Sequence, residues 1–96
     1  MQNELVMVGM ITIDSHPAYV LCDSGASHSF MSMRFAHRHN IPLMTIPFAY
    51  RISMPGAQLC VNSRTDTVGL VLATHTYRLQ FMVLLGQGSD AILGMN

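Results

Sequence analysis

Ala18-Tyr19-Val20-Leu21-Cys22-Asp23-Ser24-Gly25-Ala26-Ser27 is the stretch on which the reading of this chain turns. An apolar run delivers one carboxylate to its end, and a hydroxyl and a glycine follow at once. A strand that stops in Asp-Ser-Gly can aim its carboxylate out of a tight loop, because glycine accepts backbone angles that other residues resist. The small residues Ser24, Gly25 and Ala26 leave room for another backbone or a substrate to come close. Asp, Ser and Gly also favour ordinary turns. This stretch alone therefore leaves two readings open, an aimed carboxylate and a plain strand end.

Working outward, the segment before it predicts a hairpin. Leu5 to Ile13 is apolar almost throughout and β-branched in part, as in a buried strand. Asp14-Ser15-His16-Pro17 is turn chemistry, and Ala18 to Cys22 is the returning strand. After the loop, Phe30 and Met33, and Met31 and Phe35, recur at helical spacing. This predicts a short helix within Ser27 to Asn40, capped by Ser27 or Ser29 and ended by Asn40 before Ile41-Pro42. His37 and His39 fall near its C-terminus, where positive charge suits the helix dipole.

From Phe48 to Ser63 the pattern is two strands around Met54-Pro55-Gly56-Ala57. Pro and Gly there take the central positions of a type II turn. Val68 to Ala73 and Tyr77 to Leu85 predict two further strands, joined near Thr74-His75-Thr76. Gly86-Gln87-Gly88-Ser89 reads as a loop and Ala91-Ile92-Leu93-Gly94 as a last strand. The total is six or seven short strands and one helix in a single domain spanning residues 1–96.

Composition narrows the function. Half of the 96 residues are hydrophobic and only 10% are charged, against about 25% in ordinary globular domains. So little charge coats a monomer poorly and implies a covering partner, such as a second copy. Net charge is zero, and without a basic patch the electrostatic footprint of a nucleic-acid binder is missing. The longest apolar runs, such as Phe81 to Leu85, are too short to span a bilayer. The N-terminus carries no signal-peptide pattern. Cys22 and Cys60 are expected as buried thiols rather than a disulfide, which suits a reducing, cytoplasmic setting. The nine methionines are expected mainly as core filling.

Four chemistries compete. Five histidines and two cysteines show no C-x-x-C or H-E-x-x-H spacing, so no metal site is expected. A serine nucleophile would use G-x-S-x-G, but Gly25-Ala26-Ser27-His28-Ser29 lacks the second glycine. Gly86-Gln87-Gly88-Ser89-Asp90-Ala91 has the letters of a dinucleotide fingerprint but no residues left for its helix and second strand, so no cofactor is expected. An aspartic hydrolase needs two carboxylates sharing a proton. Only Asp23, among four Asp and one Glu, stands in the required context. The second carboxylate would come from another molecule, since a two-fold axis sets a patch against its own copy.

Three blocks resemble one family: Leu21-Cys22-Asp23-Ser24-Gly25-Ala26-Ser27-His28-Ser29-Phe30, the Met54-Pro55-Gly56 hairpin, and Asp90-Ala91-Ile92-Leu93-Gly94-Met95. The chain resembles a retropepsin, the homodimeric aspartic protease of retroviruses and LTR retrotransposons, and most of all those of gypsy-type plant elements and their domesticated relatives. The likeness runs over nearly the whole chain. It implies a mainly β, small closed barrel-like acid-protease fold with one short helix after the catalytic loop. It implies a homodimer acting on peptides or a polyprotein, without cofactor, nucleic acid or membrane.

Residue by residue, the resemblance makes Asp23 the catalytic carboxylate. Ser24 would bond across the dimer and Gly25 would permit close approach of the loops. Ala26 would border the substrate, and Met54, Pro55, Gly56 and Ala57 would form the tip of a flap over it. Ile92-Leu93-Gly94 would pack beside the catalytic loop, and Asp90 would be a surface or turn carboxylate rather than the second catalytic group. The flap has one glycine where many members have several, and Pro55 stiffens it. The family's C-terminal helix is absent from these 96 residues, which implies a truncated domain cut from a longer polyprotein. The alternative function is an inactive module of the same fold that binds peptides or dimerises.

Overall fold

The computed structural model describes the backbone of residues 5–54, 57–85 and 88–95, and side chains within 11–47, 61–85 and 88–95 together with Arg51. Those residues form nine strands and one helix. In chain order they are β1 (Leu5–Ile13), β2 (His16–Asp23), β3 (Phe30–Ser32), α1 (Met33–Arg38), β4 (Leu43–Met54), β5 (Ala57–Thr65), β6 (Val68–Leu72), β7 (His75–Leu79), β8 (Met82–Leu84) and β9 (Ala91–Gly94). All nine strands join one sheet in the order β4-β5-β8-β3-β9-β2-β1-β6-β7. The expected fold class, mainly β with one short helix after the loop, is the one observed.

The β1–β2 hairpin turns at Asp14 and Ser15, with φ of 52° and 69°. Two consecutive left-handed residues make a type I′ turn, whose twist matches that of paired strands. His16 and Pro17, expected in the turn, already pair with Ile13 and Thr12. Ile11, Ile13 and Val20 are buried, as are Leu70 and Phe81, in one apolar cluster with Met31, Phe35 and Ala36. A second cluster gathers Phe30, Ile46, Val61, Leu84 and Ile92.

The helix is shorter than its periodicity predicts, and its cap is Ser32, not Ser27 or Ser29. The Ser32 hydroxyl accepts from Phe35 N at 3.0 Å, which satisfies an N–H that has no helical partner. Phe30, Met31 and Ser32 cannot be helical because they are committed to the sheet. Phe30 and Met31 pair with β9 on one side and all three with β8 on the other. The C-terminus follows the sequence closely. Asn40 adopts φ 54°, its N–H donates to His37 O at 3.3 Å, and Ile41 N donates to Ala36 O at 2.9 Å. These two bonds are a Schellman cap with Asn in the left-handed position.

Two other boundaries move. β4 begins at Leu43, five residues before the expected Phe48, because Leu43, Met44 and Thr45 pair with Thr65, Arg64 and Ser63. The expected strand Tyr77 to Leu85 is two strands that break at Gln80 and Phe81. There Thr65, fully buried, takes over the pairing: its N–H donates to Phe81 O at 2.8 Å and its hydroxyl accepts from Phe81 N at 3.0 Å. Cys22, expected to be buried, is a half-buried free thiol. Burial still pushes its pKa up, which keeps it protonated and unreactive.

The β6–β7 hairpin turns at Ala73 and Thr74, one residue before the expected junction, with Ala73 exposed at φ 56°. An L residue in that region costs about 1–2 kcal/mol, part of which glycine returns through its larger unfolded-state entropy. Ala73→Gly is expected to stabilise the domain by about 0.5 kcal/mol net. A thermal midpoint that falls on this substitution would contradict the strain.

Candidate active site

β2 ends at Asp23 and β3 begins at Phe30, yet the two strands are not neighbours: β9 lies between them. β9 runs parallel to β2, with Asp23 opposite Gly94, and antiparallel to β3, with Phe30 opposite Ile92. Residues 24–29 must therefore cross the C-terminal end of β9. A Cβ on Gly94 would strike the His28 carbonyl oxygen and come within 2.8 Å of the Ala26 carbonyl oxygen. The glycine of Ile92-Leu93-Gly94 is thus the gap through which the loop passes.

The loop is then fixed from both ends. Gly25 N donates to Asp23 Oδ1 at 2.9 Å. The Asp23 carbonyl accepts from Ala26 N at 3.3 Å and from Met95 N at 3.0 Å. Gly94 N donates to the Ser29 hydroxyl at 3.1 Å, a strut that the sequence reading missed. Asp23 is buried at 8% exposure. Among the described residues no cation neutralises it. Its carboxylate is held in place by the Gly25 N–H at the end of β2.

Asp90 is not its partner. Asp90 Oδ2 accepts from Tyr19 N at 2.8 Å. Its N–H donates to Tyr19 O and its carbonyl accepts from Ser32 N, each at 2.9 Å. It therefore stitches β9 to both neighbours at the end away from Asp23. Four strand residues separate the two ends, roughly 13 Å at the usual rise. These bonds set Asp90 apart from Asp23, as expected of a surface or turn carboxylate.

The remaining candidates fall as follows. Ser24 is exposed and Gly25 and Ala26 are half-buried beside Asp23. Met54 pairs with Ala57 at the end of the β4–β5 hairpin, whereas Pro55 and Gly56 lie outside the described residues. Ser27 Oγ and His28 Nδ1 are 3.2 Å apart on the exposed loop. Among the described residues no carboxylate orients that imidazole, so the pair lacks the third member of a nucleophilic triad. Beside the loop lies a cleft of about 260 Å³, lined by Ser27, His28, Ser29, Arg64, Leu79, Gln80, Phe81 and Met82. Among the described residues no group of three His, Cys, Asp or Glu side chains could hold a metal, and no helix is long and apolar enough to cross a membrane.

Behind the loop, at the end of β9 that Asp90 secures, His16 and His39 stack at 4.1 Å. Partial burial, then the neighbouring His16 and Arg38, push the His39 pKa below its ordinary 6.5, while Asp90 pulls it back. A lowered folded pKa means that the unfolded chain binds the proton more tightly. This contribution to stability is complete above pH 6.5 and is lost as pH falls through the folded value. Melting temperatures from neutral to mildly acidic pH are expected to fall less in His39→Gln than in the native chain. Parallel falls would remove His39 as a source.

Among the described residues Asp23 is the one buried aspartate, and it stands at the start of a loop that crosses the end of β9. The family model described as retroviral aspartyl protease matches residues 1–96, and the chain belongs to that family. Two solved structures share the fold. The retroviral protease-like domain of Ddi1 from Leishmania major aligns with TM-score 0.64 and 21% identity, over 99% of this chain and 74% of that one. The EIAV protease complexed with the inhibitor HBY-793 aligns with TM-score 0.65 and 19% identity, over 97% of this chain and 82% of that one. No curated protein matches the sequence.

Proposed function

We propose that this chain is an aspartic endopeptidase that works as a homodimer. One observation carries the reading: Asp23 is buried and clamped by its own loop, and among the described residues it is the one buried aspartate. Two copies facing each other across a two-fold axis would bring two Asp23 carboxylates onto one water. One carboxylate takes a proton from that water as its oxygen attacks the peptide carbonyl carbon. The other gives its proton to the carbonyl oxygen, and collapse of the tetrahedral species releases the amine with a proton from the pair. In this reading Ser24 bonds across to the partner's loop, Gly25 lets the loops approach, and Ala26 borders the substrate. The hairpin tip Met54, Pro55, Gly56 and Ala57 folds over the substrate.

Exposed apolar side chains support the second copy. Met95, which follows the glycine gap, is 61% exposed and Leu85 is 78% exposed. The resemblance to gypsy-type elements supports a polyprotein substrate, and hence action inside the cell or in virus-like particles. The test is cleavage of a peptide library at mildly acidic pH, with sedimentation on the same sample. Cleavage that tracks the dimer fraction supports the reading. A stable dimer that binds peptides and cleaves none would leave a peptide-binding module instead, and a strict monomer could not assemble the carboxylate pair.

A further inference from the structure

We propose that the cleft beside the active-site loop is a flanking subsite for an acidic side chain of the peptide substrate. This rests on the reading of the chain as a peptide-cleaving enzyme. Arg64, Ser27, His28 and Ser29 line it together. Leu79 and Met82, both half-buried, add apolar lining. Among the described residues no acid lines the cleft.

The guanidinium is held but not neutralised. Its NH1 donates to Thr65 O at 3.2 Å and rests on Met44 Sδ at 3.6 Å. Among the described residues no carboxylate pairs with it. Those contacts hold the planar fork in place, and its other N–H groups suit a carboxylate. The imidazole and hydroxyls that share the lining add donors. A carboxylate on a short hydrocarbon stem matches a cationic group beside apolar lining, so glutamate is the favoured occupant.

The loop also fixes which substrate residue would reach the cleft. Ser27 is four residues from Asp23, at most about 14 Å along the chain. An extended peptide advances about 3.3 Å per residue. The acidic residue would therefore lie within about four positions of the scissile bond.

The test uses short peptides with one cleavable apolar pair and a single Glu or Gln placed in turn at each flanking position. At one position the Glu peptide is expected to show a kcat/KM about fivefold above its Gln twin, the upper range for an exposed ion pair. Arg64→Gln should bring that ratio to one, while Arg64→Lys keeps part of it. Raising salt should shrink the ratio in the native protein, a readout that stands even where Arg64→Gln fails to fold. Equal rates for Glu and Gln at every position would overturn the subsite. Should no peptide be cleaved, the enzymatic reading fails separately, and fluorescence anisotropy with the same peptides still decides the subsite. Tighter binding of a Glu peptide that depends on Arg64 sustains it, and equal binding removes it.

Discussion

Asp23→Asn is expected to lower peptide cleavage by about 10³-fold or more, because in the proposed mechanism it removes the group that accepts the proton of the attacking water. The substitution separates chemistry from structure unusually well. Asn keeps an oxygen where Asp23 Oδ1 accepts from Gly25 N at 2.9 Å, so the loop retains its clamp. The melting temperature is therefore expected to stay close to that of the native chain, and sedimentation to show an unchanged dimer fraction. Asp66→Asn is the matched control. Asp66 is an exposed turn residue whose Oδ1 accepts from Thr67 N at 2.8 Å, an acceptor that Asn also supplies, and its rate should not move. Mixing supplies the sharper test. Excess Asp23→Asn chain added to native chain should suppress activity, since each mixed pair holds one carboxylate where two are needed. If activity were indifferent to added variant, catalysis would reside in one chain and the two-fold arrangement would be wrong.

Much of this was legible from residue order, and what was not has a physical cause. Asp23 stood out because an apolar strand, an acid and small residues are adjacent in the sequence. The Asn40 cap was equally local, since an Asn before Ile-Pro ends a helix by its own backbone preference. The helix start was misplaced because Phe30 and Met31 fit a helical face as well as a short strand. Their pairing with β8 and β9 decided the matter, through partners more than fifty residues away. The Ser29 strut and the Thr65 bridge to Phe81 were invisible for the same reason, as each joins segments brought together only by the sheet. Arg64 belongs with them. Nothing near it in the sequence announces that it lines a cleft with His28.

Gly94→Ala is expected to be among the most damaging single substitutions in the chain, costing about 3 kcal/mol or more. The methyl group would enter space occupied by the His28 carbonyl oxygen, with the Ala26 carbonyl oxygen 2.8 Å away. Both obstacles are backbone, so no side-chain rotation relieves them. The loop would have to lift, and lifting it strains three links at once: Gly94 N to Ser29 Oγ, Ala26 N to Asp23 O, and Met95 N to Asp23 O. The clash is one of volume, not of backbone angle, which gives a clear contrast. Gly69 lies in β6, where a Cβ would meet only the Thr76 methyl carbon at 3.9 Å. Gly69→Ala should be tolerated and even slightly favourable, because alanine orders a strand at lower entropic cost than glycine. Denaturant unfolding of the two variants side by side measures the difference. Similar midpoints would mean that the loop does not thread the end of β9 as described. A large loss at Gly94 alone, with the remaining folded fraction inactive, would tie the placement of Asp23 to this one missing side chain.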